Sequence, residues 1–194
     1  MIPDRPRAAI DATGLETRHI SRYFVWRKGK RHLRYSWPKL TAVIAIHSHL
    51  ILSAYVNKGP CQDSPQMRPA VRLAVGRCPL DTLLGDSGYD AEHNHAWCRE
   101  RQGIRLTLFA LNRRGQGRKR PKTHYRRQMA RHTRRRRGRH QARRIYGQRW
   151  QADSLFSRMK RRLGSALRAR QWANQKKEIF LRCLTINLML LAAA

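Results

Sequence analysis

The hydrophobic residues of the chain fall into short runs that glycine, proline and charged residues separate. Apolar and β-branched runs of roughly four to eight residues between such breaks predict strands. One stretch contains two apolar halves joined near Ser48 and His49, and because both of its faces are apolar we predict a hairpin of central strands. The first strand is predicted to end near Asp11, and the third at Gly85 and Asp86. The predicted strands cover 8–12, the hairpin 39–56, 79–90 and 104–111.

Apolar residues at helical spacing predict four helices. Asp63 is the predicted N-cap of the first helix, with Pro65 in its first turn, and Gly103 closes the second. The last helix is predicted to be buried, because the uninterrupted apolar run after Arg182 has 12 residues and is too short to span a bilayer. The predicted helices cover 63–75, 91–103, 143–163 and 175–192. Together with the strands they predict a layered α/β fold.

The charge of the chain changes the picture from a generic fold to a partner. Lys and Arg number 43 against 11 Asp and Glu, a formal net charge of +32, which predicts strong attraction to nucleic acid. An apolar fraction of 41% excludes a wholly disordered basic tail. Charge alone leaves open a basic RNA-binding structural protein.

The basic residues concentrate in one segment. No Asp or Glu occurs from Arg101 through Ala152, and within this range 113–140 has little apolar content. We expect 113–140 to be a basic insertion, mobile without nucleic acid, that contacts DNA. A solvated linker is the alternative. The predicted contacts are Arg113, Arg114, Arg118, Lys119 and Arg120.

The cysteines and histidines give no metal site. The four cysteines form no CxxC pair, which predicts reduced, buried thiols in a cytoplasmic protein. No signal peptide is visible at the N-terminus. His93, His95 and Cys98 lack a fourth zinc ligand and are predicted to be surface residues of a helix. The cysteines are Cys61, Cys78, Cys98 and Cys183.

One acidic residue lies in an arginine-rich helix. At 100° per residue, Tyr146, Arg149, Asp153 and Lys160 lie within a stripe of about 60° beside the apolar face. The simplest interpretation is a surface ion pair on a basic helix, worth about 0–1 kcal/mol. The apolar face consists of Ile145, Ala152, Leu155, Phe156, Met159 and Leu163.

Two further acids follow strands. Asp11 and Asp86 come at predicted strand ends, where polar side chains often line an active crevice. If they meet Asp153, three carboxylates repel one another unless a divalent cation, with Mg²⁺ favoured by oxygen ligands, is bound. Two such ions activate a water or a 3′-hydroxyl for attack on a phosphodiester. Elsewhere acids are expected to have structural roles, with Asp90 and Glu92 as first-turn helix charges.

These motifs resemble those of a known family. "IDATGLE", "LLGDSGYD" and "YGQRWQADSLFSRMKRRLG" are similar to the three acidic motifs of DDE transposases of bacterial insertion sequences. The family pattern Y-x2-R-x3-E-x6-K matches Tyr146, Arg149, Asp153 and Lys160, with Asp153 in the place of the Glu. The resemblance covers about 8–192. The aspartate is one methylene shorter, about 1.5 Å of reach, which predicts weakened or lost binding of one metal ion unless the helix lies closer.

The resemblance implies a fold and a reaction. It implies an RNase H-like mixed sheet flanked by helices, and a transposase that cleaves DNA at transposon ends and transfers the strand into target DNA. It implies Asp11, Asp86 and Asp153 as catalytic ligands of Mg²⁺ or Mn²⁺. It also implies that Tyr146, Arg149 and Lys160 contact the transposon end.

The resemblance also implies partners. We expect double-stranded DNA as partner, a homodimer, no membrane contact, and a cytoplasmic, nucleoid-associated location. Because only ten residues precede Asp11, we expect a single catalytic domain, 1–194, without an end-recognition region, and an upstream-frame polypeptide that supplies it. The alternative is a truncated, noncatalytic remnant that only binds DNA. Among the tryptophans in basic surroundings, Trp150 is predicted to stack on a base, and Trp37 and Trp172 to pack in the core.

Overall fold

The computed structural model of the chain describes residues 4–17, 37–111, 121–134 and 143–193. The strands in these ranges are β1 (Arg7–Gly14), β2 (Trp37–Ala45), β3 (Ile51–Gly59), β4 (Thr82–Gly85) and β5 (Leu106–Phe109). The longer helices are α1 (Ser64–Val75), α2 (Glu92–Ala96), α3 (His124–Arg134), α4 (Trp150–Leu163) and α5 (Trp172–Leu191). A 3₁₀ turn (Ser87–Tyr89) precedes α2, a π-helical turn (Trp97–Arg101) continues it, and a helical segment at 143–147 precedes α4.

The strands form one mixed sheet in the order β3-β2-β1-β4-β5. β1, β2 and β3 are antiparallel neighbours, whereas β4 and β5 run parallel to β1. This confirms the predicted mixed sheet flanked by helices. The prediction that both hairpin strands are central was wrong for β3, which is an edge strand. Its sequence is apolar because α1 and α5 both contact it.

β1 extends further than its sequence indicated. The strand does not end at Asp11 but continues to Gly14, because it pairs with β2 along its whole length from Ala8. β4 pairs with β1 only as far as Ala9 and Leu84. Two residues beyond this last pair lie Asp11 on one chain segment and Asp86 on the other. The parallel register therefore brings the first two acidic motifs to the same edge of the sheet.

Helices cover the two faces of the sheet. On one face, Ser53 Oγ of β3 donates a hydrogen bond of 2.7 Å to the Ala70 carbonyl of α1. On the other, α4 contacts β1, and α5 is fixed to the edge strand by Asn187, whose side chain bonds the backbone N–H and C=O of Ile51 at 2.8 and 3.0 Å. The core between these layers is made of buried aliphatic residues such as Leu40 and Ile44.

The helix ends depart from the sequence predictions in two places. Helix α1 begins after Asp63, as predicted, but the Asp63 side chain makes no capping bond, because it pairs with Lys39 Nζ at 2.6 Å. The predicted continuous helix 143–163 is interrupted at 148–149. The last predicted helix is present but only half-buried, and the nearby Arg182 is buried because its guanidinium donates to the Gly164 and Ala166 carbonyls, each at 2.6 Å.

The predicted basic insertion contains ordered structure. Helix α3 lies within 113–140, and the buried Met129 and Ala130 attach it to the domain. No helix had been predicted there, because the two apolar residues are hidden in a strongly basic run. The mobility of the insertion stays a prediction. No helix among the described residues is long and apolar enough to cross a membrane.

Exposure of single residues corrects further predictions. Trp37 is not in the core: its ring lies over Gly14 and Gly59, 38% exposed. Trp172 is half-buried against the core, as expected for core packing. All four cysteines are free, but only Cys98 and Cys183 are buried.

Candidate active site

Asp11 is the most buried of the three predicted catalytic acids, with a side chain only 17% exposed. Its Oδ1 accepts a hydrogen bond of 2.8 Å from the Ala12 N–H, and Arg149 Nη1 lies 4.0 Å from its Oδ2. Burial, helped by the facing carboxylate of Asp153, raises the pKa of Asp11 to about 6. Asp11 is therefore a carboxylate that the fold holds at an electrostatic disadvantage, as functional acids often are.

Asp153 faces Asp11 from helix α4. Arg149 Nη1 lies 3.6 Å from Asp153 Oδ2, so one guanidinium lies between the two carboxylates. Asp11, Asp153 and Lys160 line an open cavity of about 510 Å³. Asp153 is 57% exposed, at the outer part of this cavity. The predicted stripe on this helix thus lies over the first acid, and its Asp–Arg pair is part of a larger cluster rather than an isolated surface ion pair.

Asp86 comes directly after β4. Its Oδ1 accepts a 2.7 Å hydrogen bond from the Ser87 N–H, which starts the 3₁₀ turn. The preceding Gly85 leaves no room for a side chain, since a Cβ there would lie 2.9 Å from the Phe109 ring. Tyr146 Oη donates to the Gly85 carbonyl at 3.4 Å. This bond places the tyrosine of the third motif beside the second acid.

The donor set fits a divalent cation in part. Asp11 and Asp153 offer oxygen ligands that Mg²⁺ and Mn²⁺ accept, and a bound cation would remove the repulsion that raises the pKa of Asp11. Asp86 lies beside them, but its carboxylate is engaged by its own backbone. Among the described residues, no group of three or more His, Cys, Asp or Glu side chains is close enough to hold a metal ion.

A second ion pair supports the turn that follows Asp86. Lys39 Nζ pairs with Asp63 and also donates to the Cys61 carbonyl at 2.6 Å. Asp63 packs against the turn so closely that a Cβ on Gly88 would lie 2.9 Å from its Oδ2. The sequence pointed to Asp63 only as a helix cap. Its contact with the turn depends on pairing between strands far apart in the chain.

A buried polar network lies four residues after Asp86. Asp90 has no exposed side-chain surface, and Arg126 of α3 binds it through two hydrogen bonds of 2.9 and 2.8 Å. His95 also contacts Asp90 at 3.1 Å and Thr107 at 2.7 Å. The predictions that Asp90 is a helix-end charge and that His95 and Cys98 are surface residues were therefore wrong.

Glu92 joins this network from the start of α2. Its carboxylate accepts hydrogen bonds from the backbone N–H groups of Tyr125 and Arg126, at 2.8 and 3.1 Å. The first-turn amides of α3 are thereby satisfied, and these bonds lower the pKa of Glu92 against the effect of burial. The basic helix α3 is thus attached directly to the segment that follows the second acid.

Replacing Arg126 by methionine is expected to lower the free energy of unfolding by about 3–5 kcal/mol, because Asp90 would stay buried without its cationic partner. Denaturant unfolding measures the change. The neighbouring Arg127→Met removes an exposed arginine from the same helix and is expected to change stability by less than about 0.5 kcal/mol. The double change Arg126→Met with Asp90→Asn is expected to recover part of the loss. Equal effects of the two single arginine variants would contradict the network's importance.

The remaining predicted contacts are distributed as follows. Trp150 is 57% exposed and available for stacking, and Lys160 lines the cavity of the acids. Trp26 and the five insertion residues Arg113, Arg114, Arg118, Lys119 and Arg120 lie outside the described residues.

Comparison with known proteins gives one match. A family model described as "Transposase DDE domain" matches residues 2–188. No curated protein gives a significant match to the chain.

Proposed function

The chain belongs to the DDE transposase family, and from this premise we propose that it cleaves DNA at transposon ends and joins the freed end to target DNA. The catalytic acids in this proposal are Asp11, Asp86 and Asp153. The observation that carries it is the burial of Asp11 against Asp153, with Asp86 beside them on the parallel register. A domain with only structural duties gains nothing from two facing carboxylates.

Family members depend on a divalent metal, generally Mg²⁺ or Mn²⁺. Asp11 and Asp153 would hold it, and Asp86 would join them once its carboxylate turns from the Ser87 N–H. When bound, the metal supplies Lewis-acid polarisation of the phosphate and a more acidic water. The chain's own acids contribute the negative charge that selects a cation at this point of a very basic surface.

The cationic side chains of the third motif are proposed to hold the DNA. Arg149 lies between Asp11 and Asp153, and it can transfer its guanidinium to a phosphate oxygen once a cation neutralises the acids. Lys160 lines the same cavity and provides a second positive charge. Tyr146, bonded to the Gly85 carbonyl, contacts the transposon end beside Asp86. Trp150 offers an exposed face for base stacking.

The reaction needs no covalent enzyme intermediate. Water attacks phosphorus in line, a P–O bond forms, and the bond to the 3′-oxygen breaks to leave a 3′-hydroxyl and a 5′-phosphate. The freed 3′-hydroxyl then attacks a target phosphodiester in the same manner, and the target's 3′-oxygen leaves. Asp11, with its raised pKa, is the acid best placed to exchange a proton near neutral pH. The working assembly is proposed to include the basic insertion 113–140 on DNA, an upstream-frame polypeptide for end recognition, and a nucleoid location.

A noncatalytic protein that only binds DNA is the second candidate. The 57% exposure of Asp153 favours it, together with the lack of a three-ligand group among the described residues. Both candidates predict DNA binding that weakens steeply with salt, because phosphate contacts release counterions. Binding measurements therefore do not separate them.

Incubation with labelled DNA that carries the element's ends is expected to give nicks with 3′-hydroxyl termini in Mg²⁺ or Mn²⁺, and none after chelation with EDTA. Denaturing gels and end-labelling measure both the position and the chemistry of the cut. A DNA of the same length without the ends controls for contaminating nuclease. Retained binding without any cutting in either metal would establish the noncatalytic candidate.

A further inference from the structure

Helix α5 has two apolar faces, and only one of them is covered. Its inner face packs Ile179, Cys183 and Ile186 against the domain. Its outer face exposes four leucines and a phenylalanine, each between 44% and 62% exposed: Phe180, Leu181, Leu184, Leu188 and Leu191. A helix that is hydrophobic all round is normally buried on all sides. The outer face of α5, defined by these five residues, is therefore an interaction surface.

The spacing of the leucines is specific. Leu181, Leu184, Leu188 and Leu191 follow one another at intervals of three, four and three residues. At 100° per residue they lie, with Phe180, within an arc of about 100°. This is the pattern of a two-helix seam, in which each side chain packs into a space formed by residues of a second helix.

We propose that the outer face of α5 binds the same face of a second copy of this chain, antiparallel around a two-fold axis. Such a face is self-complementary, as an isologous interface requires. With roughly 180 Å² for a fully exposed leucine and 200 Å² for phenylalanine, the five residues of two copies bury roughly 1,000 Å² together, the lower limit for a specific interface. The dimer therefore forms in a concentration-dependent manner.

Charge selects the antiparallel arrangement. Lys176 and Lys177 lie near the start of α5, and every residue from Cys183 to Ala194 is uncharged. In an antiparallel pair, Lys177 of one copy meets the uncharged end of its partner, whereas a parallel pair would bring the lysines together. Antiparallel helix dipoles also attract.

The net charge of each copy sets the salt dependence of the dimer. Two chains with a formal charge of +32 each repel one another at low ionic strength. Added salt screens this repulsion and is expected to strengthen the dimer, whereas the same salt weakens binding to DNA. The opposite signs separate self-association from bridging by residual nucleic acid. The inference does not rest on the catalytic proposal, since it is tested without DNA.

Sedimentation equilibrium of the nucleic-acid-free full chain at high salt is expected to give a monomer–dimer equilibrium. The double variant Leu184→Gln/Leu188→Gln changes the middle of the seam without changing charge, and we expect it to weaken the dimer at least about tenfold. The control is Leu73→Gln on α1, where an equally apolar side chain is 46% exposed on the opposite face of the sheet. This control is expected to dimerise like the natural chain.

Circular dichroism and thermal melting show whether each variant folds, and because the substituted side chains are exposed, their melting curves are expected to match in dilute solution. A natural chain that stays monomeric up to high micromolar concentration would overturn the proposal. So would a dimer that the double variant leaves intact, or one that Leu73→Gln weakens equally. Dissociation caused by salt instead of strengthening would show that nucleic acid, not the leucine seam, joins the copies.

Discussion

Replacing Asp11 by asparagine is expected to abolish cleavage of transposon-end DNA and to make the folded protein more stable. Asparagine lacks the negative charge that binds a divalent cation, so cleavage falls by at least about a thousandfold. Binding of DNA is expected to persist, since one negative charge is removed from a basic surface. Few structural residues show loss of function together with a gain in stability, and this combination identifies an acid that the fold keeps for chemistry.

The gain in stability follows from the pKa of Asp11. The folded chain raises it from 3.8 to about 6, mainly through burial and then through Asp153. The stability that Asp11 contributes is present below about pH 4 and is lost as the pH rises through about 6, because the unfolded chain ionises this group more easily. At pH 7 without metal, the loss is about 1–3 kcal/mol. The asparagine side chain does not titrate, so the Asp11→Asn variant lacks this pH dependence.

Denaturant unfolding at about pH 4 and pH 7 in EDTA measures this difference between the natural chain and Asp11→Asn. Asp81→Asn is the matched control. Asp81 lies just before β4, and its hydrogen bonds with Arg105, at 2.7 and 2.9 Å, hold the pKa of Asp81 below its usual range. Its removal is expected to lower stability by about 0–1 kcal/mol and to leave cleavage unchanged. If Asp11→Asn instead loses stability at neutral pH, the acid serves the fold and its catalytic role is lost with that result.

The sequence indicated those parts of the site that depend on local pattern. The glycine after an apolar run marked the end of β4, and helical spacing placed Arg149 and Asp153 on one side of their helix. The order of the strands also followed from alternation of apolar runs. These features are decided within a few residues, so periodicity and turn chemistry are sufficient to find them.

Contacts between distant segments were not accessible in this way. Arg126 is one of many arginines in a basic run, and nothing in its neighbourhood distinguishes it as the partner of Asp90. Asp63 occupied a typical cap position, but Lys39 of β2 reaches it first. Apolar residues likewise show that a surface is covered without showing by what, which is why β3 was taken for a central strand and α5 for a fully buried helix. Each of these errors concerns which segments meet in space, and local propensity contains no such information.

Lengthening the third acid by the change Asp153→Glu is expected to increase Mg²⁺-dependent cleavage by about 10- to 100-fold, because a misplacement of about 1 Å in a catalytic group has an effect of this size. The natural side chain is 57% exposed, while its partner Asp11 is only 17% exposed. An added methylene lets the carboxylate extend from the outer part of the cavity towards Asp11. Single-turnover cleavage of labelled end DNA at saturating protein measures the chemical step without the binding step.

The matched control makes the same chemical change at the second acid. Asp86 is fixed by the 3₁₀ turn and the Ser87 N–H, so Asp86→Glu displaces a carboxylate that is already in place and is expected to lower cleavage. If Asp153→Glu is slower than the natural chain, helix α4 approaches β1 in the DNA complex and the shorter acid is the adapted one. If the natural chain is inert and Asp153→Glu alone cuts DNA, the protein is a remnant that lost activity through this single methylene, and the acidic site still retains the rest of its catalytic geometry.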